Sequence, residues 1–119
     1  MGSRETCPPH YEAAMDLLGK KWTGLILRPL MEGPCRFTEI SADVPRLSDR
    51  LLSQRLRKLE EKGIVERRVH DARPVRIEYA LTGKGRDLRG VLEAIVGWAD
   101  RWETAEAPAA ATTTDRQGA

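Results

Sequence analysis

The chain has 119 residues, of which 40% are hydrophobic and 32% charged, and its net charge is +2. This length suits one domain, and the balance of apolar and charged residues excludes a disordered or low-complexity chain. No apolar run approaches the roughly 18 residues of a membrane span, and two cysteines are too few for a disulfide scaffold. We therefore expect a cytoplasmic protein without a membrane partner.

Apolar spacing predicts two short helices near the start of the chain. The first begins near Tyr11 and is stopped by Gly19. The second covers Lys21 to Met31, and Pro29 is expected to kink or tighten its last turn. Its predicted buried stripe consists of Trp22, Leu25, Ile26 and Leu30.

Two further helices are predicted in the middle of the chain. One covers Phe37 to Asp43, with Thr38 as its N-cap. The other runs from the N-cap Ser48 to about Lys62, and Gly63 suits the position after its end. Leucines spaced four and three apart share one face of this helix, namely Leu52, Leu56 and Leu59. The opposite face carries Arg50, Gln54 and Arg57.

This polar face has the residue types that read DNA. A helix fits the major groove, where Arg binds guanine and Gln binds adenine with two hydrogen bonds. Base contacts usually come from the N-terminal part of such a helix. The predicted base-reading residues are therefore Ser48, Arg50, Ser53 and Gln54, and the predicted phosphate contacts are Arg57 and Lys58. Taken alone, such a face is more typical of a solvated surface that binds nothing.

The segment after Gly63 changes the interpretation of that face. Apolar and polar residues alternate over residues 64–70 and 76–81, which predicts two strands joined by a polar loop at residues 71–74. The loop presents Arg73 and its flank presents Arg76. A basic loop beside a basic helix forms one contact surface for a phosphate backbone. Arg36, Arg73 and Arg76 are thus added to the predicted phosphate contacts.

A last helix is predicted to begin at Thr82 and to continue to about Trp102. Large aromatic residues on a helix surface are enriched in interface cores, which favours dimerisation, although internal packing is an alternative. The predicted interface residues here are Leu88, Leu92, Ile95, Trp98 and Trp102. Residues 1–9 are interpreted as a flexible lead, residues 10–103 as one domain, and residues 104–119 as a disordered tail.

Several motifs occur in a specific order along the chain. They are Gly19-Lys20-Lys21-Trp22 with Leu25-Ile26-Leu27-Arg28, Arg36-Phe37-Thr38-Glu39-Ile40, Gly63-Ile64-Val65-Glu66-Arg67, Val75-Arg76-Ile77-Glu78-Tyr79-Ala80-Leu81-Thr82, and Trp98 with Trp102. Together they resemble the motifs of HxlR-type regulators, relatives of the MarR regulators in the winged-helix superfamily. The chain departs from that pattern at Lys20, where the family often has a second Gly, and at Arg73-Pro74-Val75, where it often has two prolines.

The resemblance implies an α+β winged helix-turn-helix fold with a two-stranded wing hairpin and a C-terminal dimerisation helix. It implies a homodimer that binds double-stranded DNA at a palindromic operator and represses or activates transcription. It also implies that the segment of Tyr11 and Met15 joins the dimer interface.

The resemblance draws attention to Cys7, because some family members use an N-terminal cysteine as an oxidant or electrophile sensor. The alternative is a small interface residue that never reacts, and regulation by a small ligand is equally open. Cys35 is interpreted as a turn residue.

Other classes of function have less support. His10 and His70 lack a metal-ligand spacing with the cysteines, so no metal or cofactor is predicted. No motif indicates an enzyme. A winged-helix module that binds protein and not DNA is the main alternative to the regulator.

Overall fold

The computed structural model of the chain describes residues 8–103. Within them it has six helices and two strands, and it confirms the predicted α+β class and the order of helices and hairpin. The elements are α1 (Pro9–Leu18), α2 (Thr23–Met31), α3 (Phe37–Asp43), α4 (Asp49–Glu61), β1 (Val65–His70), β2 (Arg76–Leu81), α5 (Gly83–Arg86) and α6 (Arg89–Trp102). The chain divides into two compact units between Arg86 and Asp87. Cys7 and the predicted tail at 104–119 lie outside the described residues.

Helix α1 begins inside the predicted flexible lead, at Pro9. Proline is favoured at the first position of a helix because its fixed φ suits the helix and its missing N–H would be unpaired there anyway. None of the residues of α1 is buried.

Helix α2 differs from its prediction at its start and in its buried face. It begins at Thr23 and not at the predicted Lys21, and Trp22 is the N-cap residue. The buried apolar side chains are Ile26, Leu27 and Leu30, whereas Leu25, predicted to be buried, is 45% exposed. Because each helical residue turns the chain by about 100°, Leu27 in place of Leu25 means that the buried face is rotated from the predicted one.

Pro29 tightens the end of α2, as predicted. The helix continues through it to Met31, and the Glu32 N–H donates to the Pro29 carbonyl at 3.1 Å. The Gly33 N–H likewise donates to the Leu30 carbonyl at 3.2 Å. Bonds over three residues are those of a 3₁₀ turn, which is tighter than an α-helical turn.

Helix α3 is capped by Arg36 and not by the predicted Thr38. The Glu39 carboxylate accepts a hydrogen bond of 2.8 Å from the Arg36 backbone N–H. Glu39 is the third residue of the helix, the usual position for an acidic side chain that reaches back to the cap.

Helix α4 confirms its prediction closely. The Ser48 hydroxyl accepts a 3.1 Å hydrogen bond from the Leu51 N–H, and Leu52, Leu56 and Leu59 are buried. Gly63 has φ +75°, which favours glycine because a Cβ is strained there.

The hairpin pairs β1 with β2 in antiparallel register from Val65 opposite Leu81 to His70 opposite Arg76. A further pairing was not predicted: Cys35, just before α3, exchanges two backbone hydrogen bonds of 2.9 and 2.7 Å with Tyr79. This pairing fastens the start of α3 to the hairpin.

The predicted last helix is interrupted. Thr82 does cap a helix, since its hydroxyl accepts from the Gly85 N–H at 3.1 Å, but that helix ends at Arg86. Gly83 and Gly85 weaken this short segment, because glycine is among the poorest helix formers. Helix α6 begins at Arg89, after Leu88 at its N-cap. No helix within residues 8–103 is long and apolar enough to cross a membrane.

Candidate nucleic-acid interface

Helix α4 presents the predicted DNA-reading side chains to solvent. Arg50, Gln54 and Arg57 are exposed. At about 100° per residue they fall within an arc of about 60° opposite the buried leucines. Because the leucines hold one side of α4 in the core, this polar side faces outward.

The other two predicted base-reading residues lie at the margins of that face. Ser48 is exposed, and its hydroxyl oxygen already accepts the capping bond from Leu51. Its hydroxyl hydrogen is therefore the group that remains for donation. Ser53 is half-buried, on one flank of the helix.

Contacts between α3 and α4 set the position of the polar face. The Ser41 hydroxyl donates a 3.0 Å hydrogen bond to the Asp49 carboxylate in the first turn of α4. A carboxylate in a first turn also interacts favourably with the helix dipole. Asp49 therefore stabilises the beginning of α4 and links it to α3.

Three of the predicted phosphate contacts line one cleft of about 230 Å³. They are Arg36 at the start of α3 and Arg73 and Arg76 of the hairpin. The rest of the lining is Ala72, Pro74, Val75 and Ile77, so no carboxylate lines the cleft. The Cys35–Tyr79 pairing explains this grouping, because it holds the residue before Arg36 against β2.

The guanidinium groups of Arg73 and Arg76 in this cleft differ in exposure and in ion pairing. Arg73 is exposed and forms no ion pair with any residue from 8 to 103. Arg76 is half-buried, and its Nε lies 3.7 Å from the Glu78 carboxylate without a hydrogen-bond partner among those residues. Glu78 also contacts His70 Nε2 at 2.8 Å across the hairpin.

Lys58 is not part of this cleft. It lies on the flank of α4, is exposed, and pairs with Glu61 at 3.7 Å. It lines a second cavity with three cations that sequence reasoning did not single out, namely Lys20, Arg55 and Lys62. The spacing of Arg55, Lys58 and Lys62 places them on one side of a helix, a signal that could have been found.

The predicted dimer-interface residues are mostly exposed in the single chain. Among those of α6, Ile95 and Trp98 are each 52% exposed and Trp102 is 67% exposed, whereas Leu88 and Leu92 are half-buried. Tyr11 and Met15 of α1 are also exposed. Each of these two helices therefore leaves an apolar surface uncovered.

The one described cysteine is a poor nucleophile. Cys35 is half-buried, and its thiol donates to the carbonyls of Gly33 at 3.4 Å and Pro29 at 3.5 Å. Burial raises the pKa of Cys35, and the nearby carboxylates of Glu39, Asp43 and Glu78 raise it further. The neutral thiol is therefore favoured, and it is the thiolate that reacts. Within residues 8–103 no cluster of His, Cys, Asp or Glu is arranged to hold a metal ion.

The chain is similar to known bacterial regulators. A family model described as HxlR-like helix-turn-helix matches residues 17–107. The uncharacterised HTH-type transcriptional regulator YvaP of Bacillus subtilis is 48% identical over 102 residues, which cover 86% of this chain and 94% of YvaP. The HTH-type transcriptional regulator YodB of the same organism is 45% identical over 97 residues, covering 82% of this chain and 87% of YodB.

Solved structures agree with these matches. The reduced form of YodB superposes with a TM-score of 0.75 at 44% identity, covering 82% of this chain and 95% of that one. YodB has also been solved in diamide-treated and quinone-bound forms. The reduced form of the redox regulator HypR gives a TM-score of 0.75 at 32% identity, covering 82% of this chain and 97% of HypR.

Proposed function

The chain belongs to the HxlR-like helix-turn-helix family of transcriptional regulators, and we propose that it binds a palindromic DNA operator as a homodimer. One observation carries the proposal. The compact unit that exposes the polar face of α4 also contains a cleft lined by three arginines and by no carboxylate. Arg76 pairs with Glu78, but Arg36 and Arg73 form no ion pair with any residue from 8 to 103, and such clustered cations suit a phosphate backbone.

In this proposal α4 lies in the major groove and reads bases from its N-terminal half. Arg50 donates two hydrogen bonds to a guanine, and Gln54 pairs with an adenine. Ser48 and Ser53, at the margins of the face, add single hydrogen bonds. Arg57 lies further along the same face, where the groove wall is phosphate, so we assign it to the backbone.

The arginine cleft is assigned to the phosphates beside that groove. Arg36 comes from the start of α3 and Arg73 and Arg76 from the hairpin, so together they bind the backbone at a fixed distance from α4. Lys58, on the flank of α4, is a further phosphate contact. These contacts position the protein and supply affinity, whereas the α4 contacts supply sequence preference.

We propose that the apolar surfaces of α6 and of α1 form the homodimer interface. The exposed tryptophans of α6 support this assignment, because aromatic side chains are enriched in the cores of protein interfaces. A two-fold dimer places two recognition helices about 34 Å apart, which is one turn of DNA, so both enter successive major grooves.

The test is a gel-shift titration of the full chain against DNA from the promoter of its own gene. We expect the double variant Arg50→Ala, Gln54→Ala to lose specific binding, because each lost base contact costs about 1–3 kcal/mol. Glu61→Ala is the matched control, since Glu61 lies on the same exposed side of α4 but has no donor and pairs with Lys58, so its loss should not weaken binding. Absence of a shift on any duplex at low salt would contradict the proposal.

We further propose that thiol oxidation regulates this DNA binding through Cys7. The support is the similarity to YodB, which has been solved in diamide-treated and quinone-bound forms, and to the redox regulator HypR. Cys35 is the less suitable thiol because its pKa is raised by burial and by neighbouring carboxylates. Diamide oxidises two thiols, here Cys7 of each subunit of the proposed homodimer, to a disulfide while its N=N bond is reduced to a hydrazine, and it should change the gel shift of the wild type and of Cys35→Ser. It should leave Cys7→Ser unchanged, and a response that survives in Cys7→Ser would rule out this residue.

A further inference from the structure

The second cavity, of about 400 Å³, belongs to the first compact unit and is distinct from the arginine cleft. Three helices and the α1–α2 connection contribute to it. Its lining consists of Asp16, Leu17, Lys20, Thr23, Arg55, Lys58, Leu59 and Lys62. Its volume lies within the usual range of small-molecule sites, roughly 300–1,000 Å³.

The charges that line this cavity are unbalanced. Half of the lining side chains are cationic, and Asp16 is the one carboxylate among them. Lys58 pairs with Glu61 outside the lining, but Lys20, Arg55 and Lys62 form no ion pair with any residue from 8 to 103. Like charges that share a site repel one another, so a bound anion would stabilise this arrangement.

Arg55 is the most enclosed of the four cations that line the cavity, since it is half-buried and the three lysines are exposed. Its Nε is buried and has no hydrogen-bond partner within the described residues, so its two terminal nitrogens are the donors that remain for a ligand. A guanidinium is planar and matches the two oxygens of a carboxylate.

The cavity also has an apolar part. Leu17 from α1 and Leu59 from α4 line it together with the cations, and Thr23 is buried there. A lining that combines cations with leucines suits a compact molecule with one anionic end and one apolar end. We propose that this cavity binds a small organic monocarboxylate, with Arg55, Lys20 and Lys62 at its carboxylate and the two leucines against its apolar part.

Calorimetric titration of the full chain with benzoate tests the proposal, with benzamide as the uncharged ligand of the same shape. Benzoate should bind with one site per chain, and benzamide should not. Arg55→Gln, which keeps a polar side chain with N–H donors and removes the charge, should weaken benzoate binding at least tenfold, and Lys62→Gln should weaken it by a smaller factor. Arg67→Gln is the matched control, because Arg67 is an exposed arginine of β1 outside the cavity. Circular dichroism checks that each variant is folded.

The opposite results are equally clear. Benzoate affinity that is unchanged in a folded Arg55→Gln, or equal binding of benzamide, would overturn the proposal. The cations could instead bind DNA phosphate. In that case benzoate would not bind, while Arg55→Gln would weaken the gel shift and reduce its salt dependence, and this too would overturn it. Ligand binding is measured without DNA, so its outcome does not depend on whether the chain binds an operator.

Discussion

Gly85 shows how one missing side chain allows two segments to approach. A Cβ at this position would overlap the Ile64 carbonyl and would lie 3.1 Å from Leu81 Cδ2. Gly85 is buried in α5, whose cap Thr82 also bonds to the Ile64 carbonyl. Glycine is therefore required here for close packing and not for an unusual φ.

We accordingly predict opposite effects for two glycine substitutions. Gly85→Ala should lower the free energy of unfolding by about 1–3 kcal/mol, because the backbone of Ile64 cannot yield easily. Gly97→Ala, in the interior of α6, should raise it by about 0.5–1 kcal/mol, because its added Cβ meets no atom within 4 Å and alanine favours a helix. Urea unfolding measures both, and equal changes in the two variants would contradict this account.

Cys35 makes the stability of the protein depend on alkaline pH. Burial and the carboxylates nearby raise the pKa of its thiol, so the folded chain holds this proton more tightly than the unfolded chain does. The stabilising contribution is complete below the thiol pKa of the unfolded chain, about 8.5, and is lost as pH rises through the higher pKa of the folded chain.

The corresponding prediction compares Cys7→Ser with the double variant Cys7→Ser, Cys35→Ser. Above about pH 8.5 the first should lose stability with rising pH more steeply than the second, because only the first carries the titrating Cys35 thiol. Unfolding in urea at a series of pH values measures the two slopes. Parallel slopes across this range would show that the thiol titrates alike in both states.

Predictions about single residues were correct where the role of the residue depends on its neighbours in sequence. Ser48 was predicted as an N-cap because a serine hydroxyl just before a helix can accept a hydrogen bond from the first turn. Its hydroxyl does accept one from the Leu51 N–H. Thr38 was assigned as an N-cap by the same rule, and this was wrong. The N-cap is Arg36, whose backbone N–H donates to the side chain of Glu39 within the helix. The orphan Nε of Arg55 could not be predicted, since it depends on how α1, α2 and α4 pack.

At the scale of elements, periodicity carried the predictions. The leucine spacing of α4 and the alternation of β1 and β2 were both strong enough to assign the element and its buried face. The buried face of α2 was predicted in the wrong rotation because its neighbouring apolar residues are compatible with more than one buried face. Packing in the folded chain buries Leu27 and leaves Leu25 exposed. The Cys35–Tyr79 pairing has no periodic signal at all, because it joins single residues that are far apart in sequence.

The hairpin leads to a prediction about salt dependence. Each phosphate that a cation neutralises adds about 0.9 to the slope of log affinity against log salt concentration. Arg73→Ala should therefore reduce that slope by about one and weaken binding to all DNA sequences alike. Arg28→Ala, an exposed arginine of α2 outside the arginine cleft, serves as the control and should leave the slope unchanged. An unaltered slope in Arg73→Ala would exclude Arg73 from the phosphate contacts.

At the scale of the whole molecule, the exposed apolar surfaces say more about the function than the net charge does. A net charge of +2 says little about DNA, and the local grouping of arginines depends on the fold. Ile95, Trp98 and Trp102 were predicted from helical spacing as interface residues, with internal packing as the alternative, and all three are exposed in the described chain. Two half-exposed tryptophans in so short a helix indicate an interface, because isolated surfaces of this kind favour association.

We predict that the double variant Trp98→Glu, Trp102→Glu is monomeric. Charged groups in place of aromatic anchors cannot be desolvated cheaply in an interface core. Sedimentation equilibrium should give twice the chain mass for the wild type and the chain mass for the variant, which should also bind its operator more weakly. Asp100→Lys reverses the charge of an exposed residue on the opposite side of α6 and should remain dimeric. A monomeric wild type would end the homodimer proposal.

The pairing of Cys35 with Tyr79 has a consequence for what an effector can change. Because the backbone before α3 is hydrogen-bonded to β2, a movement of the hairpin away from the helix-turn-helix would have to break these two bonds. In the proposed complex, we therefore expect a constant number of base pairs between the bases that α4 contacts and the phosphates that the hairpin contacts. For the proposed homodimer, we expect a signal that releases the operator to alter the separation of the two α4 helices, and not the length of DNA that each subunit covers.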